Sequence, residues 1–229
     1  MQNQLSAYEE VLKIFEYLEN HLPRNVDGKT AILEMKEGGS RNWRQMEWIG
    51  FWFEHFVESR VIPNLGGGKG PRYGTTEFDF KKSHVWDLKA HPLNASNLIL
   101  NDQLAIKECI QKEEGLGFIV VSGEAIYDDE KGSFKTWHDA VKGGPSTYEL
   151  ERKSRGAPSR RRKISFSPKK LDAIWFHDSA SIEAAVESGW LESFQENMRN
   201  SNGKPRPAKF QLSLSNVPKN YSIANKNLY

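Results

Sequence analysis

The sequence predicts an α/β fold, bordering on α+β, with a mixed central β-sheet flanked by helices. Three observations predict it. Apolar residues recur at helical spacing over about 4–21, 45–61, 102–114 and 179–197. Between these lie short alternating or continuously apolar runs, at 78–89, 117–127, 163–176 and 209–214, which read as strands. The order is helix, hairpin, helix, strand, basic segment, strand, helix, strand, without an internal repeat. That order suits one layered domain spanning 1–229.

Composition excludes several classes. No apolar run approaches membrane-spanning length. The start, Met-Gln-Asn-Gln-Leu-Ser, lacks the basic-then-apolar pattern of a signal peptide. A lone cysteine, Cys109, cannot make an internal disulfide, so a reducing, cytoplasmic setting is expected. A net charge of +2 names no partner by itself; the distribution of charge matters more.

The first helix, 4–21, presents Leu5, Tyr8, Val11, Leu12, Phe15 and Leu18 as its apolar face, and Pro23 ends it. Residues 24–44 carry no clear period; Gly38-Gly39-Ser40 breaks the chain just before Arg41 and Arg44. The second helix, 45–61, has an apolar face of Ile49, Trp52, Phe53, Phe56 and Val57. Glu47, Gly50, Glu54 and Glu58 form another stripe. Gly50 is expected to leave room for a neighbouring strand, and Pro63 to close the helix. Residues 66–74, Gly-Gly-Gly-Lys-Gly-Pro-Arg-Tyr-Gly, lack the Gly-Lys-Ser/Thr of a Walker loop. They read either as a flexible connection or as a mobile loop carrying Lys69, Arg72 and Tyr73 to phosphate.

Residues 75–92 read as a β-hairpin. Phe78, Asp79 and Phe80 alternate on one strand, Lys81-Lys82-Ser83 supplies the turn, and Val85-Trp86-Asp87-Leu88-Lys89 forms the other strand. Strand alternation sends Asp87 and Lys89 to one face and Trp86 and Leu88 to the other. Asp79 is then expected beside Asp87. Two carboxylates crowded together call for compensation, and a divalent cation supplies it. Hard oxygen ligands of this kind suit Mg²⁺. The implied chemistry is phosphodiester hydrolysis, with Lys89 beside the attacking water.

Asp79 followed by Asp87-Leu88-Lys89 resembles the PD-(D/E)XK nuclease motif of many type II restriction endonucleases. Phe78 stands where the motif name places proline. Upstream, Glu47-Trp48-Ile49-Gly50-Phe51-Trp52-Phe53-Glu54 resembles the helix before the motif in the MutH-like branch of mismatch-repair nicking endonucleases. The resemblance covers about residues 46–92. It implies a restriction-endonuclease-like core in which Asp79 and Asp87 ligate Mg²⁺, the Leu88 carbonyl adds a ligand, Lys89 assists water and Glu54 is auxiliary.

Further along, a helix is expected over 102–114, with Leu104, Ile106, Cys109 and Ile110 apolar and Gly115 as its stop. A buried strand follows at 117–122, with 125–127 as a continuation. Asp128-Asp129-Glu130 reads as a solvated turn. Residues 131–163 change character; from Arg152 to Lys170 there are nine lysines and arginines and no acid. Beside a nuclease motif this reads as a basic inserted lobe, a loop ordered by DNA, with Arg152, Lys153, Arg155, Arg160, Arg161, Arg162 and Lys163 on phosphate or base edges. Strands at 163–166 and 171–176, a helix from Ser179 to about Asn197, a basic loop at 200–207 and a strand at 209–214 complete the chain. The 200–229 tail is expected to join the recognition surface.

These readings lead to a Mg²⁺-dependent, sequence-specific double-stranded DNA endonuclease, a type II restriction enzyme. It would act as a monomer or homodimer, with a cognate DNA methyltransferase in the same system. A nicking or repair endonuclease uses the same residues. A non-catalytic DNA-binding protein with a structural ion cluster at the hairpin is the reading from another class, and an RNA-cleaving relative a further one.

Overall fold

The structure, a computed structural model, describes residues 2–158, 161–199 and 203–229. Helix α1 (Gln2–His21) buries Ala7, Val11, Ile14 and Leu18, with Glu10 and Phe15 beside them. Leu5, Tyr8 and Leu12, expected inside, are exposed. The sequence holds two overlapping helical stripes. Packing against the sheet selects the one centred on small Ala7 and Val11, which permits closer approach.

Strand β1 (Val26–Asp27) leads into α2 (Gly28–Glu37), where the Asp27 side chain accepts from Thr30 N at 2.9 Å as the N-cap. A 3₁₀ turn (Arg41–Arg44) precedes α3 (Trp48–Phe56), which runs through a π turn (Val57–Val61) into α4 (Ile62–Leu65). Pro63 therefore does not close this helix. The wider turn accommodates the missing N–H, and Gly66, at φ 79°, ends the helix instead. Gly50 faces open space: a Cβ there would meet nothing within 4 Å, so it is no close-approach point.

Residues 66–71 are pinned rather than loose. Gly68 and Lys81 exchange backbone hydrogen bonds of 2.8 and 2.9 Å, and Phe78 N donates to Pro71 O at 3.0 Å. Strands β2 (Arg72–Tyr73) and β3 (Thr76–Glu77) pair as a short hairpin, followed by β4 (Phe80–Lys81) and β5 (Val85–Pro92). After β6 (Leu98–Asp102), α5 (Gln103–Glu113) is capped by Asp102; its Leu104 points to solvent while Ile106, Cys109 and Ile110 are buried. Strand β7 (Leu116–Tyr127) runs unbroken.

Asp128 is buried, not part of a solvated turn. Its carboxylate accepts from Phe134 N and Lys135 N, both at 2.9 Å, at the start of α6 (Ser133–Lys142). Helix α7 (Thr147–Ser154) and the long β8 (Lys163–Phe176) take up the two ends of the basic run 152–170, expected as a loop. Pro168 is carried within β8 at a register shift opposite Gly123. Helix α8 (Ser179–Glu187) stops ten residues earlier than expected. Gly189, at φ 73°, turns the chain, and Leu191–Phe194 forms β9. Strands β10 (Lys209–Leu212) and β11 (Ser222–Asn227) follow; the tail thus supplies a strand of the main sheet.

The main sheet is mixed. Its order is β1-β8-β7-β5-β4, with β11 also paired to β8. β7 and β8 are antiparallel, and β5 and β7 parallel. Trp86, Leu88, Ile119, Val121, Ala173 and Trp175 face the core beneath α1–α3. Val85, Phe118, Val120, Ile174 and Phe176 face a second core with α5, α8 and the antiparallel sheet β6-β10-β9. Among the described residues no helix is long and apolar enough to cross a membrane.

Candidate functional site

The β4–β5 ladder pairs Phe80 with Trp86 and Lys81 with Val85, leaving Lys82-Ser83-His84 as the turn. Continued by one step, that register sets Asp79 opposite Asp87. The ladder itself stops first, and Asp79 lies in a bend before β4. The Asp79 carboxylate takes the next amide of β5, with Leu88 N donating to Oδ2 at 2.8 Å. A strand residue sends its N–H and C=O to the same side, so the Leu88 carbonyl also faces this edge.

The turn is held from behind. Glu10 of α1 accepts from Ser83 N at 2.9 Å, His84 N at 3.3 Å and Trp86 Nε1 at 2.8 Å. Trp86 is fully buried against Trp175, which fixes the alternation that turns Asp87 and Lys89 the other way. Asp87 is buried and ion-paired with Lys89. Helix α3 packs along β5 and brings Glu54 to the same place.

Glu54, Asp79, Asp87 and Lys89 line one cavity of about 950 Å³. Lys69 and Arg72 line it as well, ion-paired at its rim to Glu58 (3.2 Å) and Glu77 (3.4 Å). Such exposed pairs are weak. Burial pushes the Glu54 carboxyl up to about 7; Lys89 opposes this, while Asp87 and Glu58 add to it. Burial, then Asp87 and Glu54, hold the Asp79 carboxyl well above its ordinary range. For Lys89 burial acts downward, but Asp87 and Asp79 outweigh it and keep the ammonium strongly protonated. Crowding and burial therefore make Glu54 and Asp79 hold their protons to higher pH than ordinary carboxyls.

The donor set suits a hard divalent cation. Among the described residues, no group of three or more acidic, histidine or cysteine side chains is arranged to cage a metal alone. Magnesium asks for less: one or two carboxylates, retained waters and substrate phosphate. Asp79, Asp87 and the Leu88 carbonyl could supply the protein's share, with Glu54 alongside.

The basic residues of the lobe lie elsewhere. Arg152, Lys153, Arg155, Arg161, Arg162 and Lys163 are absent from the lining of this cavity. Arg162 is buried 3.7 Å from Asp139, Arg161 Nε donates to Asp128 O at 2.9 Å, and Lys163 pairs with Glu47. Of these three, Arg162 turns inward, Lys163 is half-buried at the start of β8, and Arg161 is exposed but held at the Asp128 carbonyl. Arg152 stacks on Tyr148, while Lys153 and Arg155 are exposed. Arg160 lies outside the described residues.

Four residues escaped sequence reading. Asn101 donates from Nδ2 to Asp87 Oδ1 at 2.6 Å and accepts from Lys89 Nζ at 2.8 Å. Arg41 and Asn42 of the 3₁₀ turn line the same cavity as Lys69. Lys209 on β10 feels both Lys89 and Asp87, and with burial foremost its ammonium is held below the usual range. The only signals in the chain were an asparagine ending an apolar run and two arginines after a glycine break.

Protein-family models, curated proteins and solved structures offer no match to this chain. Its resemblance to the PD-(D/E)XK nucleases rests on its own residues.

Proposed function

We propose that this protein is a Mg²⁺-dependent DNA endonuclease with a PD-(D/E)XK-type site, acting as a sequence-specific type II restriction enzyme. One observation carries the reading: Glu54 from a helix, Asp79 from a bend, and Asp87 and Lys89 from a strand meet at one cavity rimmed by Lys69 and Arg72. Charge of both signs gathered at the end of a truncated strand ladder suits a scissile phosphate and its counter-ion.

Magnesium, when bound, would neutralise phosphate charge and acidify water. Asp79, Asp87 and the Leu88 carbonyl would hold it. Lys89 stays protonated and lies where negative charge grows on the phosphate oxygens. Glu54, poised near neutrality, accepts a proton from attacking water, directly or through a second water. Lys69, Arg72 and Arg41 grip the backbone at the rim.

The test is a Mg²⁺ digest of a fully sequenced phage genome, with fragment ends mapped. Discrete ends at one short sequence are expected, and Asp79→Ala, Asp87→Ala or Lys89→Ala should each reduce cleavage by about a hundredfold or more while DNA binding survives. Open circles alone from a supercoiled plasmid would make the enzyme a nickase. Salt-sensitive binding with no metal-dependent cleavage of any nucleic acid would overturn the proposal in favour of a non-catalytic DNA-binding protein.

A further inference from the structure

Both oxygens of Asp87 are engaged within the protein: Oδ1 by Asn101 Nδ2 at 2.6 Å, and Oδ2 by the Lys89 ammonium. Lys89 reaches a second acceptor as well, Asn101 Oδ1 at 2.8 Å. The three side chains close a triangle in which each end of the Asn101 amide has a different task. Its N–H end faces the carboxylate and its carbonyl end faces the ammonium. Reversed, the amide would set oxygen against oxygen and donor against donor, so its polarity is determined.

A cation approaching Asp87 meets an obstacle. Lys89 already lies on Oδ2, the oxygen not held by Asn101. Binding requires the ammonium to move off that oxygen. Without another acceptor, Lys89 would either compete for Asp87 or drift out of the site.

We infer that Asn101 is a positioning residue: it retains Lys89 through Oδ1 when a divalent cation displaces the ammonium from Asp87, while its amide nitrogen keeps Asp87 aimed at the cation. This rests on the proposed nuclease reading. Asn101 is placed for the task by its strand. It lies on β6, one residue before Asp102, and Asp102 pairs with Lys209 of β10 and caps α5 through Leu104 N at 2.8 Å. The amide thus projects from a braced strand end rather than from a loop.

The experiment compares Asn101→Ala, which loses both contacts, with Asn101→Asp, which keeps an acceptor for Lys89. Mn²⁺ binding to each protein is measured by calorimetry without DNA, and cleavage is measured at saturating Mn²⁺. Asn101→Ala should bind Mn²⁺ about tenfold or more weaker and lose about tenfold or more in kcat, as partners of ligating groups commonly do. Asn101→Asp should bind Mn²⁺ at least as tightly as wild type and recover most of the kcat lost in Asn101→Ala. Wild-type binding and kcat in Asn101→Ala, or equal loss in both variants, would overturn the inference while leaving the nuclease reading intact. Wild-type protein that neither binds Mn²⁺ nor cleaves DNA would overturn both. Should Asn101→Ala fail to fold, Asn101→Asp against wild type decides alone: a loss of Mn²⁺ affinity there overturns the inference.

Discussion

Two clusters of buried charge in this molecule have opposite characters. Around Asp139 in the α6–α7 lobe, Lys135 (2.7 Å), Lys142 (2.8 Å) and Arg162 (3.7 Å) converge on one carboxylate, and Glu149 stands 3.5 Å from Lys135. Burial works against ionising Asp139, yet its bonds to Lys135 and Lys142 win and hold its carboxyl below the usual range. At the hairpin, Lys89 ion-pairs with Asp87, while Glu54 and Asp79 feel its charge without pairing to it, and burial pushes both of their carboxyls upward. In the lobe cluster cations outnumber the carboxylate they surround, and the ion pairs join α6 to the start of β8. In the hairpin cluster carboxyls outnumber the Lys89 ammonium. Crowded carboxyls with raised pKa beside a cavity are the feature on which the proposed metal site rests.

Four measurements would break or sharpen this contrast. The largest effect belongs to the lobe cluster. Asp139→Ala leaves Lys142 and Arg162 without their buried partner and should cost about 3–5 kcal/mol in urea denaturation. A loss smaller than that of an ordinary surface substitution would show the lobe cluster to be incidental.

Next comes pH. Glu54 titrates near 4.5 when unfolded and about 7 when folded, so over that interval the native state binds more protons than the unfolded one. Stability therefore falls as pH rises through the interval, by on the order of 3 kcal/mol at most. Glu54→Gln should flatten this slope. Mg²⁺ should raise the melting temperature more at pH 8 than at pH 5.5, because protons and cation compete for the carboxylates.

A smaller change separates function from stability at Asp79. Asp79→Asn keeps an acceptor for Leu88 N and removes one crowded charge. It should gain about 1 kcal/mol in the metal-free protein while abolishing cleavage. Destabilisation would mean that Asp79 is balanced as Asp139 is. The smallest effect lies at the rim. Lys69→Ala and Arg72→Ala should each lower the salt dependence of DNA binding by about one ion, with little change in stability. An unchanged slope would move the DNA path off this cavity.

The hairpin was the most legible part of the chain. Alternation at Val85–Lys89 placed Asp87 and Lys89 on one face from local chemistry alone, and its register brings Asp79 into line. Helix α3 was legible from its apolar spacing, and Glu54 with it. Less could be read where one pattern permits two outcomes. Helix α1 carries two apolar stripes, and only contact with β8 and β11 chooses between them. The basic run from Arg152 read as an inserted loop that DNA would order. Arg162 instead turns inward because Asp139, far off in sequence, awaits it on α6.

Sequence alone determined the periodicities, the chain breaks at glycine, and the chemistry of one strand, because these depend on residues within a few positions of each other. Tertiary structure alone decided that Asn101 would join Asp87 to Lys89, that Glu10 would clasp the turn, and that Arg41 would line one cavity with Lys69. Those partners come together only when distant segments pack, and no local spacing encodes a distance between elements that meet solely through the core.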